Sequence, residues 1–384
     1  MKIMFSAGEA SGDVHGESLA AAILKLNPST ELIGFGGSLM ENAGVRLYKN
    51  FADYNVMGVW EVLKNLRRIK KLLDGLTDFM RTEKPDLLVL IDYPDFNWRL
   101  AARAKKLGIP VFSYIPPSAW AWRKGRAKKC AKLADEFVAI FPHELPVYER
   151  AGANISFVGN PLVDKVKATM PRASARKFFN IPADKTAVLL LPGSRKQEIE
   201  LLLPVMLEGV KKLLAKKTDT MLLLPVADSV DRNRIEEMIA KAGVEVSITD
   251  KSRYDLFGAA DLAVATSGTV VMEAALMNLP CVVLYRLSPI SYAIGRLLVH
   301  VDNFSLPNIL LNERFQTELL QDEVTADNIS RELEKIYPGT KERQIVLEKL
   351  KLACKKLGAP GASSRVAQKI LAAADKYKTN NGGE

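Results

Sequence analysis

The sequence predicts an α/β protein made of two doubly wound domains in tandem. Three observations carry this reading. Short apolar runs, each closed by Gly, Pro, Ser or Asp, alternate with longer stretches of helical periodicity. The alternation fades between Asn160 and Lys185, where Pro161, Pro171 and Pro182 stand among polar residues, and then restarts. Strands separated by helices form right-handed βαβ units, and such units build a parallel sheet.

The elements follow in order. Lys2 to Phe5 reads as the first strand, and Ser6-Ala7-Gly8-Glu9-Ala10-Ser11-Gly12-Asp13 as its exit loop. A helix to about Leu26 follows, with Leu19, Ile23 and Leu26 at helical spacing. Further strands are predicted at Glu31 to Phe35, Asp86 to Ile91, Val111 to Ile115, Phe137 to Phe141 and Ile155 to Val158. The second series is Ala187 to Leu191, Thr220 to Leu224, Val244 to Ile248, Leu262 to Ala265 and Cys281 to Tyr285. After about Thr325 only helices are predicted. These boundaries give domains at 1–165 and 186–384, with the final helices either staying in the second domain or packing back on the first.

Composition narrows the function. The 384 residues are 48% apolar, too rich for a disordered chain. The apolar runs are far shorter than the about 20 residues a membrane span needs. Met1-Lys2-Ile3-Met4-Phe5 leads into Ser6-Ala7-Gly8 rather than a signal-peptide core, so a cytosolic protein is expected. Cys130, Cys281 and Cys354 are scattered and suggest no disulfide framework. His15, His143 and His300 have no ligand partner at helical spacing, so no metal site is expected. The net charge of +10 leaves nucleic acid, an anionic bilayer and anionic small substrates open.

In open α/β sheets ligands bind beyond the carboxyl ends of the strands, so the exit loops are the candidate sites. Gly8, Gly12 and Gly16 do not form GxGxxG, and the second strand ends in Phe35-Gly36-Gly37 without the acidic residue that holds an NAD ribose. NAD and a P-loop are thereby disfavoured. These glycines serve a tight turn, a ligand, or both. Asp92 follows a wholly apolar run. A carboxylate delivered there by a buried strand has a raised pKa and can take a proton from a hydroxyl. Asp95 is assigned to capping the next helix. In the second series, Pro192-Gly193-Ser194-Arg195 and Thr266-Ser267-Gly268-Thr269 each lead from a strand into a helix. Such turns offer free backbone N–H groups to an anion, and Arg195 adds a clamp on phosphate. Glu273, one turn into its helix, is placed to accept from the two hydroxyls of a ribose.

Basic residues cluster locally. Phe96 to Ala134 holds ten Lys or Arg and no acid. Lys64, Arg67, Arg68, Lys70 and Lys71 follow Met57-Gly58-Val59-Trp60-Glu61-Val62-Leu63. Apolar residues with Trp followed by Lys and Arg mark a helix lying on an anionic bilayer. An ordinary core-facing helix with a basic outer face has the same composition.

Taken together, these pieces resemble the lipid-A-disaccharide synthases. The stretches that match are Ala7-Gly8-Glu9-Ala10-Ser11-Gly12-Asp13, Met57-Gly58-Val59-Trp60-Glu61-Val62, Ile91-Asp92-Tyr93-Pro94-Asp95-Phe96-Asn97, Pro117-Ser118-Ala119-Trp120-Ala121-Trp122, Leu191-Pro192-Gly193-Ser194-Arg195, Ser267-Gly268-Thr269 with Glu273, and Ser305-Leu306-Pro307-Asn308. They are collinear and span nearly the whole chain. Two departures are Asn160, where the family commonly has His, and Trp60, where it often has a smaller aliphatic residue.

The resemblance implies a GT-B fold, two Rossmann-like domains with a cleft between them. It implies an inverting transfer of 2,3-diacylglucosamine from UDP to the 6-hydroxyl of 2,3-diacylglucosamine 1-phosphate (lipid X). Asp92 would be the base and Arg195 would stabilise the leaving diphosphate, without a metal or other cofactor. Substrate contacts are implied at Gly8, Glu9, Ser11, Asp13, Asp95, Asn97, Ser194, Ser267, Gly268, Thr269, Glu273 and Asn308. Membrane contact is implied at Met57, Val59, Trp60, Leu63, Arg67 and Arg68, on the cytoplasmic face of the inner membrane, with no nucleic acid as partner. The rivals are another GT-B UDP-sugar transferase acting on a lipid-linked acceptor, and a non-catalytic basic protein that binds membrane or nucleic acid.

Overall fold

A computed structural model describes residues 1–54, 59–119, 125–226, 230–287, 292 and 302–381, with the backbone alone at 54, 59–66 and 379–381. The chain divides into two compact units. One is Met1–Pro161 with Ala359–Glu384, the other Leu162–Gly358.

In the first unit the elements run β1 (Lys2–Ser6), α1 (Ala10–Leu26), β2 (Glu31–Gly36), α2 (Ser38–Asn42), β3 (Arg46–Asn50), α3 (Val59–Glu83), β4 (Leu87–Ile91), α4 (Pro94–Lys106), β5 (Val111–Tyr114), α5 (Gly125–Ala131), β6 (Glu136–Ala139), α6 (Leu145–Glu149) and β7 (Ile155–Phe157). The strands form one parallel sheet in the order β3-β2-β1-β4-β5-β6-β7. Helices cover both faces, which is why β4 reads Leu-Leu-Val-Leu-Ile without polar alternation. Successive side chains point to opposite faces. Leu88 and Leu90 pack with Leu76 and Leu100. Leu87, Val89 and Ile91 pack with Leu19 and Ile23 on the other side, together with Val366 and Ile370 of the terminal helix.

The second unit contains α7 (Leu162–Lys165), α8 (Arg172–Phe178), β8 (Thr186–Leu191), α9 (Lys196–Leu214), β9 (Thr220–Pro225), α10 (Arg232–Ala242), β10 (Ser247–Thr249), α11 (Arg253–Ala259), β11 (Leu262–Thr266), α12 (Thr269–Leu276), β12 (Cys281–Tyr285), α13 (Leu306–Leu311), β13 (Glu318–Leu320), α14 (Ala326–Lys335) and α15 (Lys341–Lys355). Its strands form a parallel sheet ordered β10-β9-β8-β11-β12-β13. The last helix, α16 (Ala362–Asn381), returns to the first unit.

The structure therefore decides between the two placements of the final helices and moves the boundary between the domains. Residues after 358 are not part of the second unit, because α16 supplies core side chains against α1, and Arg365 Nε donates to Val158 O at 2.7 Å. The stretch read as a linker is folded into the second unit. The Thr169 and Met170 amides donate to Asp255 Oδ1 at 2.6 and 2.8 Å, and Arg172 pairs with Asp261 at 2.6 Å. Two strands were not anticipated. β3 is a polar edge strand, and β13 has only three residues. Among the described residues no helix is long and apolar enough to cross a membrane.

Candidate functional site

Each sheet reverses its strand order once near its middle, between β1 and β4 in the first unit and between β8 and β11 in the second. At such a reversal the exit loops diverge to opposite faces and leave a crevice at the strand ends. The loops that the sequence singles out are those at the two reversals.

In the first unit, Ser6 pairs with Leu90, so the exits of β1 and β4 lie side by side. Asn97, buried on α4, pins them together. Its side-chain amide donates to Ser6 O at 3.1 Å and Asp92 O at 2.7 Å, and its oxygen accepts from Ser6 Oγ at 2.7 Å. Asp92 and Tyr93 then take left-handed backbone conformations in succession, with φ of 49° and 51°. Neither is glycine, and each such residue costs about 1–3 kcal/mol. The turn is held by the Asn97 contact and by the Asp92 amide, which donates to Tyr114 O at 3.1 Å. Burial pushes the Asp92 carboxyl above its ordinary range, against a smaller opposing hydrogen bond from the Tyr93 backbone. The Tyr93 ring lies over Gly8, where any Cβ would come within 2.2 Å of it. Glu9 and Ser11 are exposed at the start of α1.

Three assignments around this loop change, and Asn160, which had none, gains a structural one. Asp13 is buried, and its carboxylate accepts from the amides of Gly37, Leu39 and Met40 at 2.8, 3.1 and 3.1 Å, so it caps α2 rather than meeting substrate. Asp95 is not the cap of α4, because the N-cap is Tyr93; Asp95 is exposed and pairs with Arg126. Asn97 is a positioning residue with its amide fully engaged. Asn160 is buried and donates to Ile140 O at 2.8 Å, a structural tie.

In the second unit a cavity of about 440 Å³ opens at the reversal, lined by both predicted loops, Glu273 and Arg253. Gly193 has φ of 106°, and a Cβ there would lie 2.3 Å from the Glu198 carboxylate. Ser194 is exposed. Arg195 is the N-cap of α9, pairs with Glu198 at 3.0 Å and is 83% exposed, so it is available to an incoming anion. Gly268 is the N-cap of α12, and open space lies where its Cβ would be. It and Thr269 present that helix end to the cavity. Glu273 is 7% exposed, its carboxylate in contact with Arg253 and Tyr254.

Ser267 lines this cavity and is tied from behind, whereas Asn308 stands one step back from it. The Ser267 amide donates to Leu284 O at 2.8 Å and its hydroxyl to Phe304 O at 3.0 Å. Asn308 is buried, away from the cavity lining. It donates to Gln316 O and Glu318 Oε1, both at 2.8 Å, and accepts from the Gln316 amide at 3.1 Å. Glu318 also accepts from the amides of Phe304 and Ser305 at 3.1 and 2.8 Å. Asn308 and Glu318 thus clasp the segment that holds Ser267; neither is among the described residues that line the cavity.

Two residues were missed. Arg253 carried no signal because α11 follows an unremarkable loop. Glu144 was hidden in Pro142-His143-Glu144, although a carboxylate just after a strand is the same signal that marked Asp92. It is 3% exposed, accepts from the Phe141 amide at 3.2 Å, and burial with the nearby Asp92 charge pushes it up to about 7. Of the expected bilayer contacts, Met57 lies outside the described residues, as do the side chains of Val59, Trp60 and Leu63. Arg67 and Arg68 are exposed on α3, and Arg68 donates to Asp53 O.

Known proteins share the fold and, at higher identity, the sequence of this chain. The chain is similar in structure to an Acinetobacter baumannii MurG, with TM-score 0.61 and 16% identity over 96% of this chain and 98% of that one. It is also similar to a Staphylococcus aureus MnaA solved with UDP, with TM-score 0.62 and 15% identity over 99% and 97%. These likenesses show the fold. In sequence it is 43% identical to a lipid-A-disaccharide synthase of Syntrophus aciditrophicus over 96% of this chain and 97% of that protein. It is 40% identical to one of Geobacter sulfurreducens over 96% of both. The family described as lipid-A-disaccharide synthetase matches residues 3–371, so the chain belongs to that family and is a glycosyltransferase of the GT-B fold.

Proposed function

We propose that the protein transfers 2,3-diacylglucosamine from its UDP conjugate to the 6-hydroxyl of 2,3-diacylglucosamine 1-phosphate, with inversion at the anomeric carbon. The observation that carries the chemistry is Asp92, half-buried and strained at the β1/β4 reversal, with its carboxyl raised by burial. The acceptor oxygen attacks the anomeric carbon as its proton passes to Asp92. The bond from that carbon to the diphosphate breaks, and UDP leaves with the electron pair. A base whose pKa is lifted toward neutrality is better matched to this proton transfer than an ordinary carboxylate.

Leaving-group charge is met by Arg195 and by the N-termini of α9 and α12, fixed before the reaction begins. Their number supports a reaction that needs no metal. Glu273 takes the ribose. Both substrates carry acyl chains, so the enzyme is proposed to work as a peripheral protein on the cytoplasmic face of the inner membrane, held by the basic helix α3. The test is UDP release by purified protein with defined donor and acceptor in mixed micelles, with and without EDTA. Turnover unaffected by EDTA is expected. Turnover that requires an added divalent ion would remove the metal-free scheme, and absence of turnover would remove the reaction.

A further inference from the structure

Both carboxylate oxygens of Glu273 already accept a hydrogen bond. Oε2 accepts from Arg253 Nη2 at 2.5 Å, and Oε1 accepts from the Tyr254 hydroxyl at 3.3 Å. The carboxylate side chain is only 9% exposed, whereas Arg253 is 49% exposed, so the arginine covers the acid from the solvent side. Arg253 opens α11 immediately after Ser252, which has φ of 45°, and its guanidinium also lies over the Phe257 ring at 5.4 Å. A ribose diol that donates both hydroxyls to Glu273 must find those two oxygens, and it finds them engaged. Both residues line the same cavity as Arg195, Gly268 and Thr269.

We infer that Arg253 is an exchangeable latch: it neutralises Glu273 in the empty cavity, yields that carboxylate to the ribose, and turns to the diphosphate of the same ligand. This rests on the reading of the cavity as the nucleotide site and adds a specificity element to it. The exchange favours a nucleoside that carries phosphate over one that does not. A bare nucleoside must displace the arginine and offers it no new anion. A nucleoside diphosphate returns a charge-assisted partner, and a guanidinium suits phosphate through two parallel N–H donors.

A different arrangement would use the same contacts to hold Glu273 in a fixed orientation, with the ribose binding the remaining lone pairs. The two make opposite predictions for a ligand without phosphate. The experiment is titration calorimetry of the full chain with uridine and with UDP, comparing wild type with Arg253→Met. Relief of a half-exposed ion pair amounts to a few-fold in affinity. The latch predicts that Arg253→Met binds uridine about three- to fivefold more tightly and UDP more weakly, so that the preference for UDP shrinks.

Weaker binding of both ligands would identify an orienting residue and overturn the latch, as would no change in either. A second reading needs no substitution. Salt screens the partly exposed pair, so uridine affinity of the wild type should rise between low and moderate ionic strength while UDP affinity falls; a parallel fall would overturn the latch. A wild type that binds UDP no better than it binds a non-nucleotide diphosphate would instead overturn the nucleotide reading itself.

Discussion

At the β1/β4 reversal the exit loops present a carboxylate, walled by the Tyr93 ring and tied down by Asn97. At the β8/β11 reversal they present two helix N-termini and Arg195, and Arg253 at the start of α11 lines the same cavity. Both sit on parallel sheets built from the same βαβ units, so the difference lies wholly in what each strand delivers at its end. The first reversal raises a carboxyl by keeping it from water, and pays for the exposure angle with two left-handed residues. The second gathers positive potential without burying a cation, since Arg195 and Arg253 remain 83% and 49% exposed. A proton acceptor gains from desolvation, because its neutral form is the product of the step. An anion clamp gains from donors that are fixed in place yet able to change partners.

The comparison breaks first if the carboxylate is dispensable. Asp92→Asn is expected to fold normally and to lose about 10²- to 10⁴-fold in kcat. UDP release with an unfolding midpoint measured alongside decides it; near-normal turnover removes Asp92 as base. Next comes the support behind the anion site. Asn308→Ala strips buried Glu318 and Gln316 of a partner and should destabilise the second unit by about 2–3 kcal/mol, read as a shifted urea midpoint. A shift under about 0.5 kcal/mol would place the clasp elsewhere.

A smaller effect is expected at the clamp. Arg195→Ala should weaken UDP binding about tenfold by calorimetry, the loss of one charge-assisted contact. Unchanged affinity would leave the helix termini as the whole anion site. The last prediction sharpens the carboxylate side. Glu144 sits near 7 in the folded chain against an ordinary 4.5, so the folded state binds the proton more tightly. Its contribution is therefore fully present below pH 4.5 and is lost as pH rises through about 7. Between pH 5 and pH 8 the wild type should lose more thermal stability than Glu144→Gln, which mimics the protonated form. Equal losses would show that Glu144 is not held protonated.

Much of the fold was legible because a strand covered on both faces is an uninterrupted apolar run, as at Leu87–Ile91 and from Ala187 to Leu191. The edge strand Arg46–Asn50 was not, since half of it faces water and its pattern is polar. Asp92, Arg195 and Glu273 were proposed from their place at strand exits and a helix start, and the structure puts Asp92 at the end of β4 and the other two in one cavity. Asp13, Asn97 and Asn308 come from the same motifs, yet their side chains turn inward to backbone amides and carbonyls. A motif marks where the chain must be shaped and does not separate the residues that shape it from those that meet a ligand.

By itself the sequence determined the alternation of strand and helix, the strand-exit loops proposed as sites and the family, because these depend on local pattern and residue order. Only the tertiary structure decided that α16 returns to complete the first core, that Glu144 shares the field of Asp92, and that Arg253 covers Glu273. Those outcomes join side chains brought together by the order of strands in a sheet, and that order is set by packing across the whole unit rather than by any one segment.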